Sequence, residues 1–239
     1  MTSSNFQIYY SGGKVRCGKE CRDGGYNLET SLDVEWAHAI APGADIALVW
    51  APDDTSLDIA EFWAIENEEG ITTPYANGNL GYVISNSWGY PEILAAGLAQ
   101  LDAEYDMTEL AAALGISANF CSQDHGDNVA YLYDNYGITA APGVVMPAST
   151  PYATGVGGTS LFLDSAGNIQ YQVGWGNNFT QLTGPPPFAP LDPPFPDGFY
   201  WGSGGGSSAV WPEPDFQSGL GNAYRQSLIF RGWPTRTPA

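Results

Sequence analysis

Glu29 and Asp33 stand four residues apart in a stretch of helical character, so both carboxylates project from one face of that helix. Two neighbouring carboxylates push each other's proton affinities apart, so one can act as a base while the other orients it. Acidic residues also favour the first turn of a helix through its macrodipole, and spacing alone leaves both readings open. Two Gly-Ser turns resemble the setting of a serine nucleophile: Gly157-Gly158-Thr159-Ser160, and Gly206-Ser-Ser-Ala-Val-Trp-Pro212, where Ser208 has the Gly-X-Ser-X-X-X-Pro spacing. Small residues let a substrate backbone approach and leave a hydroxyl exposed, although Gly and Ser gather in any turn. The chain supplies no credible Ser-His-Asp triad. His38 and His125 are its only histidines, His38 lies on the helix of the carboxylates, and both read as core or surface side chains. Cys17, Cys21 and Cys121 are too few for a disulfide framework, though the first two could bridge in a loop. Together with two distant histidines they lack the convergence a zinc site needs, so no metal site is expected.

These residues need elements to position them. An apolar stripe of Leu28, Leu32, Trp36 and Ile40 has helical spacing, with Asn27 as its cap and Pro42-Gly43 as its stop. Asp45 to Trp50 reads as a buried strand, Ser56 to Glu68 as a helix, and Tyr82 to Ser87 as a strand. Glu92 to Leu114 reads as one helix with a break near Asp106, and Ile116 to Cys121 as a further strand. Strands alternating with helices predict an α/β fold with a mostly parallel sheet covered by helices on both faces. Residues 1–26 read as irregular or as a short edge hairpin. Beyond Pro142 short strands and turns take over, and residues 184–198 form a proline-rich stretch that suits a stiff surface loop. The 239 residues fit one large domain.

Charge narrows the function. Seven Lys+Arg against 26 Asp+Glu leave a net charge of −19, and no Lys or Arg occurs between Arg22 and Arg225. Such a surface repels phosphate, which argues against nucleic acid and against anionic membranes as partners. The acidic count is ordinary and the bases are missing. That pattern suits a protein working in acid, where protonation relieves self-repulsion. No apolar run reaches the length of a membrane span, and Met1 to Asn5 show no charged, apolar leader of the secretory kind.

Five ordered motifs carry a resemblance to the sedolisin family of serine-carboxyl peptidases, over about residues 27–234. They are Leu28-Glu-Thr-Ser-Leu-Asp-Val-Glu-Trp-Ala-His-Ala-Ile-Ala-Pro-Gly-Ala44, Val83-Ile-Ser-Asn-Ser-Trp-Gly89, Cys121-Ser-Gln-Asp-His-Gly126, Pro147-Ala-Ser-Thr-Pro-Tyr-Ala-Thr-Gly-Val-Gly-Gly-Thr159, and Ser203-Gly-Gly-Gly-Ser-Ser208 with Trp211-Pro-Glu-Pro-Asp-Phe-Gln217. The resemblance implies a subtilisin-like fold, hydrolysis of peptide bonds in acid, a secreted enzyme, and a peptide or protein substrate. It places Glu29 on the general base and Asp33 on its orienting partner, with their carboxyls expected within hydrogen-bond reach or within one bridging water. It places Asp124 on an oxyanion-hole acid facing the same cleft, and Ser87, Trp88 and Gly89 on the strand beside the substrate. The chemistry is coherent: in acid a histidine base would be protonated while a glutamate remains a base, and a protonated aspartic acid can donate to an oxyanion.

The sequence also departs from the family's pattern. The family's nucleophile turn, Gly-Thr-Ser-X-X-X-Pro, follows the element matched by Trp211 to Gln217, and no such turn follows here. Ser160 lacks the proline, and Ser208 belongs to the preceding element. Arg231-Gly-Trp-Pro234 is similar to the family's Arg-Gly-X-Pro-Asp run, with Thr235 at the Asp position. The expectation is a domain without its nucleophile region, without the calcium site that would lie beyond residue 239, and without a propeptide or opening strand. Such a domain should leave apolar surface exposed. No cofactor is expected within the chain. Gln123 and His125 replace Gly and Ser around Asp124. The alternative reading is a non-catalytic, peptide-binding or structural relative.

Overall fold

The computed structural model describes residues 5–13, 26–67, 70, 78–95, 97–176 and 201–217. Cys17, Cys21, the proline-rich residues 184–198 and the run ending at Thr235 lie outside them.

The chain opens with a strand, β1 (Phe6–Tyr10), which pairs in parallel with β2 (Ile46–Trp50) in the register Phe6 to Ile46 through Tyr10 to Trp50. The expected irregular start and missing opening strand are thereby corrected. The segment is a five-residue alternation whose partner lies forty residues away, and parallel pairing is long-range. Between them runs α1 (Tyr26–Ile40), with Glu29 in its first turn and His38 in its last. It starts before Asn27, so the expected cap lies inside the first turn. Leu28, Leu32, Trp36 and Ile40 are exposed, up to 80% at Ile40, so the stripe that gives the helix its periodicity does not face the core. β2 is accordingly half-buried, not buried as expected.

Asp53 caps the next turn: its Oδ1 accepts from Thr55 N at 3.1 Å, Thr55 Oγ1 at 2.8 Å and Ser56 Oγ at 2.7 Å. Helix α2 (Leu57–Glu66) follows and stops at Asn67, in the left-handed conformation. Strand β3 (Val83–Asn86) then leads to β4 (Tyr90–Pro91). The expected helix from Glu92 to Leu114 is two pieces, a 3-10 turn Glu92–Leu94 and α3 (Leu98–Ala113). The break lies at Gly97, whose φ of 118° no helix tolerates, while Asp106 sits within the unbroken helix. After α3 come β5 (Ser117–Cys121), α4 (Val129–Tyr136), β6 (Val145–Met146), β7 (Thr154–Val156), β8 (Thr159–Leu163) and β9 (Ile169–Gly174).

Strands β3, β5 and β7 form a parallel sheet in that order, β4 pairs with β6, and β8 with β9 makes an antiparallel hairpin. The expected parallel α/β architecture is therefore present, with antiparallel additions. The core lies where α2, α3 and β5 meet. Ile65, Met107, Ala111, Ile116, Ala118 and Phe120 are buried there. Trp88 packs against this cluster, edge-on to Phe120 with centroids 5.4 Å apart. The segment carrying Ser87 and Gly89 is thus anchored to the core by its middle residue.

Candidate active site

The carboxyl ends of parallel strands are where open α/β sheets place their sites, and the candidate residues gather there. Ser87 follows β3, Asp124 follows β5, and Glu29 and Asp33 descend on them from α1. Ser87 Oγ donates to Asp33 Oδ1 over 2.7 Å and also favours the ionised form of Glu29. The hydroxyl therefore lies between the two carboxylates. Glu29, Asp33, Ser87 and Asp124 are all solvent-exposed, so the group is open to an incoming substrate.

The Glu29 carboxyl, on a residue exposed overall, is pushed above the usual carboxylate range, first by partial desolvation, then by the negative charges of Asp33 and Asp124. Asp124 is thus close enough to Glu29 for their charges to interact. The Cys121 thiol beneath them is pushed up as well, chiefly by burial, with the Asp124 and Glu29 charges adding to it. One consequence is measurable. Asp33→Asn removes the nearest repelling charge, so the Glu29 carboxyl should titrate at lower pH than in the wild type. Carboxyl carbon NMR reads this directly, and an unmoved or raised Glu29 would show that Asp33 does not govern it.

The turn bearing Asp124 is held from two sides. Gln123 takes a φ of 62°, a left-handed conformation usually left to glycine. Its Nε2 reaches Gly89 O at 3.2 Å and Cys121 Sγ at 3.6 Å, which ties the turn to the cleft edge. On the other side runs the glycine-rich segment, where Gly202 N donates to Asp124 O at 2.6 Å and Gly204 N to Gln123 O at 3.1 Å. A side chain at Gly204 would collide with the Ser122 carbonyl, so only glycine permits this approach. His125 stacks on Tyr131 with centroids 4.0 Å apart and tilts against Trp201. The two replacements around Asp124 are therefore accommodated, Gln123 by its amide contacts and His125 by ring stacking.

The other two serines go elsewhere. Ser160 lies within β8, paired with Val173 in the hairpin, not at a helix-starting turn. Ser208 Oγ donates to Glu92 Oε1 over 2.6 Å and accepts from Val210 N and Trp211 N at 3.0 and 2.8 Å. The same Glu92 accepts from Ser149 Oγ at 2.6 Å and Ala209 N at 3.0 Å, so this buried carboxylate staples the 208–211 segment to the loop after β6. Sequence reasoning missed Glu92, because its partners lie 57 and 116 residues away. No group of three His, Cys, Asp or Glu side chains placed to hold a metal occurs among the described residues. Nor is any helix among them long and apolar enough to cross a membrane.

Kumamolisin of Bacillus sp. (strain MN-32) is 31% identical over 196 residues, covering 79% of this chain and 28% of that relative. Sedolisin of Pseudomonas sp. (strain 101) is 30% identical over 154 residues, covering 62% of this chain and 23% of that relative. The chain belongs to the sedolisin family. It spans about a quarter of the length of these curated relatives. Among solved structures, Pseudomonas sedolisin, a serine-carboxyl proteinase complexed with two molecules of pseudo-iodotyrostatin, superposes with a TM-score of 0.61 at 23% identity, covering 90% of this chain and 60% of that one. The sedolisin-family fold is thus the subtilisin-like α/β fold expected from the motifs. No family model matches the chain.

Proposed function

We propose that residues 1–239 form the base-bearing part of an acid-acting serine-carboxyl endopeptidase. The observation that carries this reading is the convergence of Asp33, Asp124 and Ser87 on Glu29, with Ser87 and Asp124 following the carboxyl ends of β3 and β5. In this reading Glu29 takes the proton of a serine nucleophile, and Asp33 with Ser87 holds the base in place. Asp124 donates a hydrogen bond from its carboxyl to the oxyanion of the tetrahedral intermediate. The peptide lies extended along Ser87, Trp88 and Gly89, the segment that Trp88 anchors to the core. An ionised carboxylate suits this work in acid because it still accepts a proton where an imidazole is already charged. A secreted protein meeting peptides in an acidic medium would fit the loss of basic residues.

A second reading, a non-catalytic relative that binds peptides in the same place, is favoured by where three serines go. Ser208 is engaged with Glu92, Ser160 lies in a hairpin strand, and the proton of Ser87 is directed at Asp33. The purified 239-residue chain should therefore not cleave denatured protein at about pH 3–4. Joined to the nucleophile-bearing C-terminal segment of a family member such as Bacillus kumamolisin, it should. Cleavage by the chain alone, lost in Glu29→Gln, would assign the nucleophile to a serine within it. A well-folded hybrid that binds peptide without cutting it would support the second reading.

A further inference from the structure

Behind the cleft edge lies a second carboxylate pair that neither reading uses. Glu61 on α2 and Glu104 on α3 are 4% and 2% exposed, and their helices pack against each other. Glu104 Oε1 accepts from the Tyr90 hydroxyl over 2.9 Å, while its Oε2 and both oxygens of Glu61 have no partner. Asn86 of β3 stands beside Glu61 and favours its ionised form, yet its Nδ2 makes no hydrogen bond. Its Oδ1 accepts from Trp88 Nε1 over 3.1 Å. Asp58 on α2 brings another negative charge to the group, and Gln100 on α3 contacts Tyr90. No Lys or Arg stands among the described residues, because none occurs between Arg22 and Arg225 or within 5–13.

We propose that Glu61 and Glu104 form an acid-set latch behind the cleft. With both protonated, α2, α3 and residues 86–90 pack together; as both ionise, that packing is forced apart. Burying one unpaired charge is costly, and two like charges in a low-dielectric interior also repel each other. Asn86 and Tyr90, which meet the pair, flank Ser87, Trp88 and Gly89, so release of the latch loosens the cleft edge itself. The latch does not depend on the peptidase reading.

Burial, and then the neighbouring Glu104 charge, pushes Glu61 up to about 8. Burial pushes Glu104 up to about 7, against the hydrogen bond from Tyr90 and with the Asp58 charge adding to the rise. An unfolded chain returns both to about 4.3. The folded state therefore holds more protons between these values. Its stability is full below about pH 4 and falls as pH rises through 7 to 8.

The test is thermal unfolding of the full 239-residue chain at pH 4, 6 and 8, with Glu61→Met, Glu104→Gln and the exposed Glu35→Gln alongside. The wild-type melting midpoint should fall by about 10 °C from pH 4 to pH 8. Glu61→Met and Glu104→Gln should each remove roughly half of that fall. Glu35→Gln, which deletes one charge from the surface, should leave it intact. An equal flattening by Glu35→Gln would assign the fall to overall self-repulsion and overturn the latch. Carboxyl carbon NMR of the wild-type chain gives a reading independent of the variants' folding. Two glutamates titrating above about pH 6 are expected, and a set titrating entirely near 4.3 would overturn the proposal.

Discussion

Replacing Glu29 with Gln should lower kcat/KM of the nucleophile-complemented protein by about 10⁴-fold or more. Gln keeps the size and polarity of Glu but cannot accept a proton, so the serine hydroxyl would have no base. Residues of a triad act as a unit, and removing one forfeits nearly the whole benefit. The structure adds a pH signature. Glu29 is held above the usual carboxylate range by partial desolvation and by Asp33 and Asp124, so it stays protonated to higher pH than an ordinary glutamate. Activity should therefore rise on an acid limb that follows the Glu29 titration, and Asp33→Asn should move that limb down in step with the NMR shift. Steady-state assays from about pH 2.5 to 6 check this. A loss under tenfold in Glu29→Gln, or an acid limb indifferent to Asp33, would remove Glu29 from the role of base.

Asp124→Ala in the same hybrid should lower kcat by about 10²–10³ with little change in KM, the usual loss for one oxyanion donor. The split follows from the chemistry: the oxyanion exists only in the transition state, so the ground-state complex should not feel its removal. Unchanged kcat would mean that the turn rebuilt around Gln123 and His125 aims Asp124 away from the reacting carbonyl. The contacts of Gln123 Nε2 with Gly89 and Cys121 argue for a turn held in place. So does the 2.6 Å hydrogen bond from Gly202 N to Asp124 O.

Much of this protein was readable from local signals. Glu29 and Asp33 share a helix, so a spacing of four puts both carboxylates on one face whatever the rest of the chain does. The parallel α/β plan also follows locally, since alternating strand and helix periods need only short windows. The depletion of Lys and Arg between residues 22 and 225 is plain in composition, and it foreshadows buried carboxylates without cationic partners.

Tertiary structure decided what depends on distant partners. β1 looked irregular because its stability comes from parallel pairing with β2, forty residues on. The stripe of α1 marked a helix, and only the fold shows it exposed: periodicity reports which face is apolar, not what covers it. The break before α3 came from backbone geometry at Gly97, a conformation that composition around Asp106 could not indicate. Ser208 had the spacing of a nucleophile, and only folding showed its hydroxyl bound to Glu92. Glu61 and Glu104 carried no motif at all. They look like ordinary helix glutamates until packing turns both into the same dry interface, where burial raises their proton affinity and gives their ionisation its structural consequence.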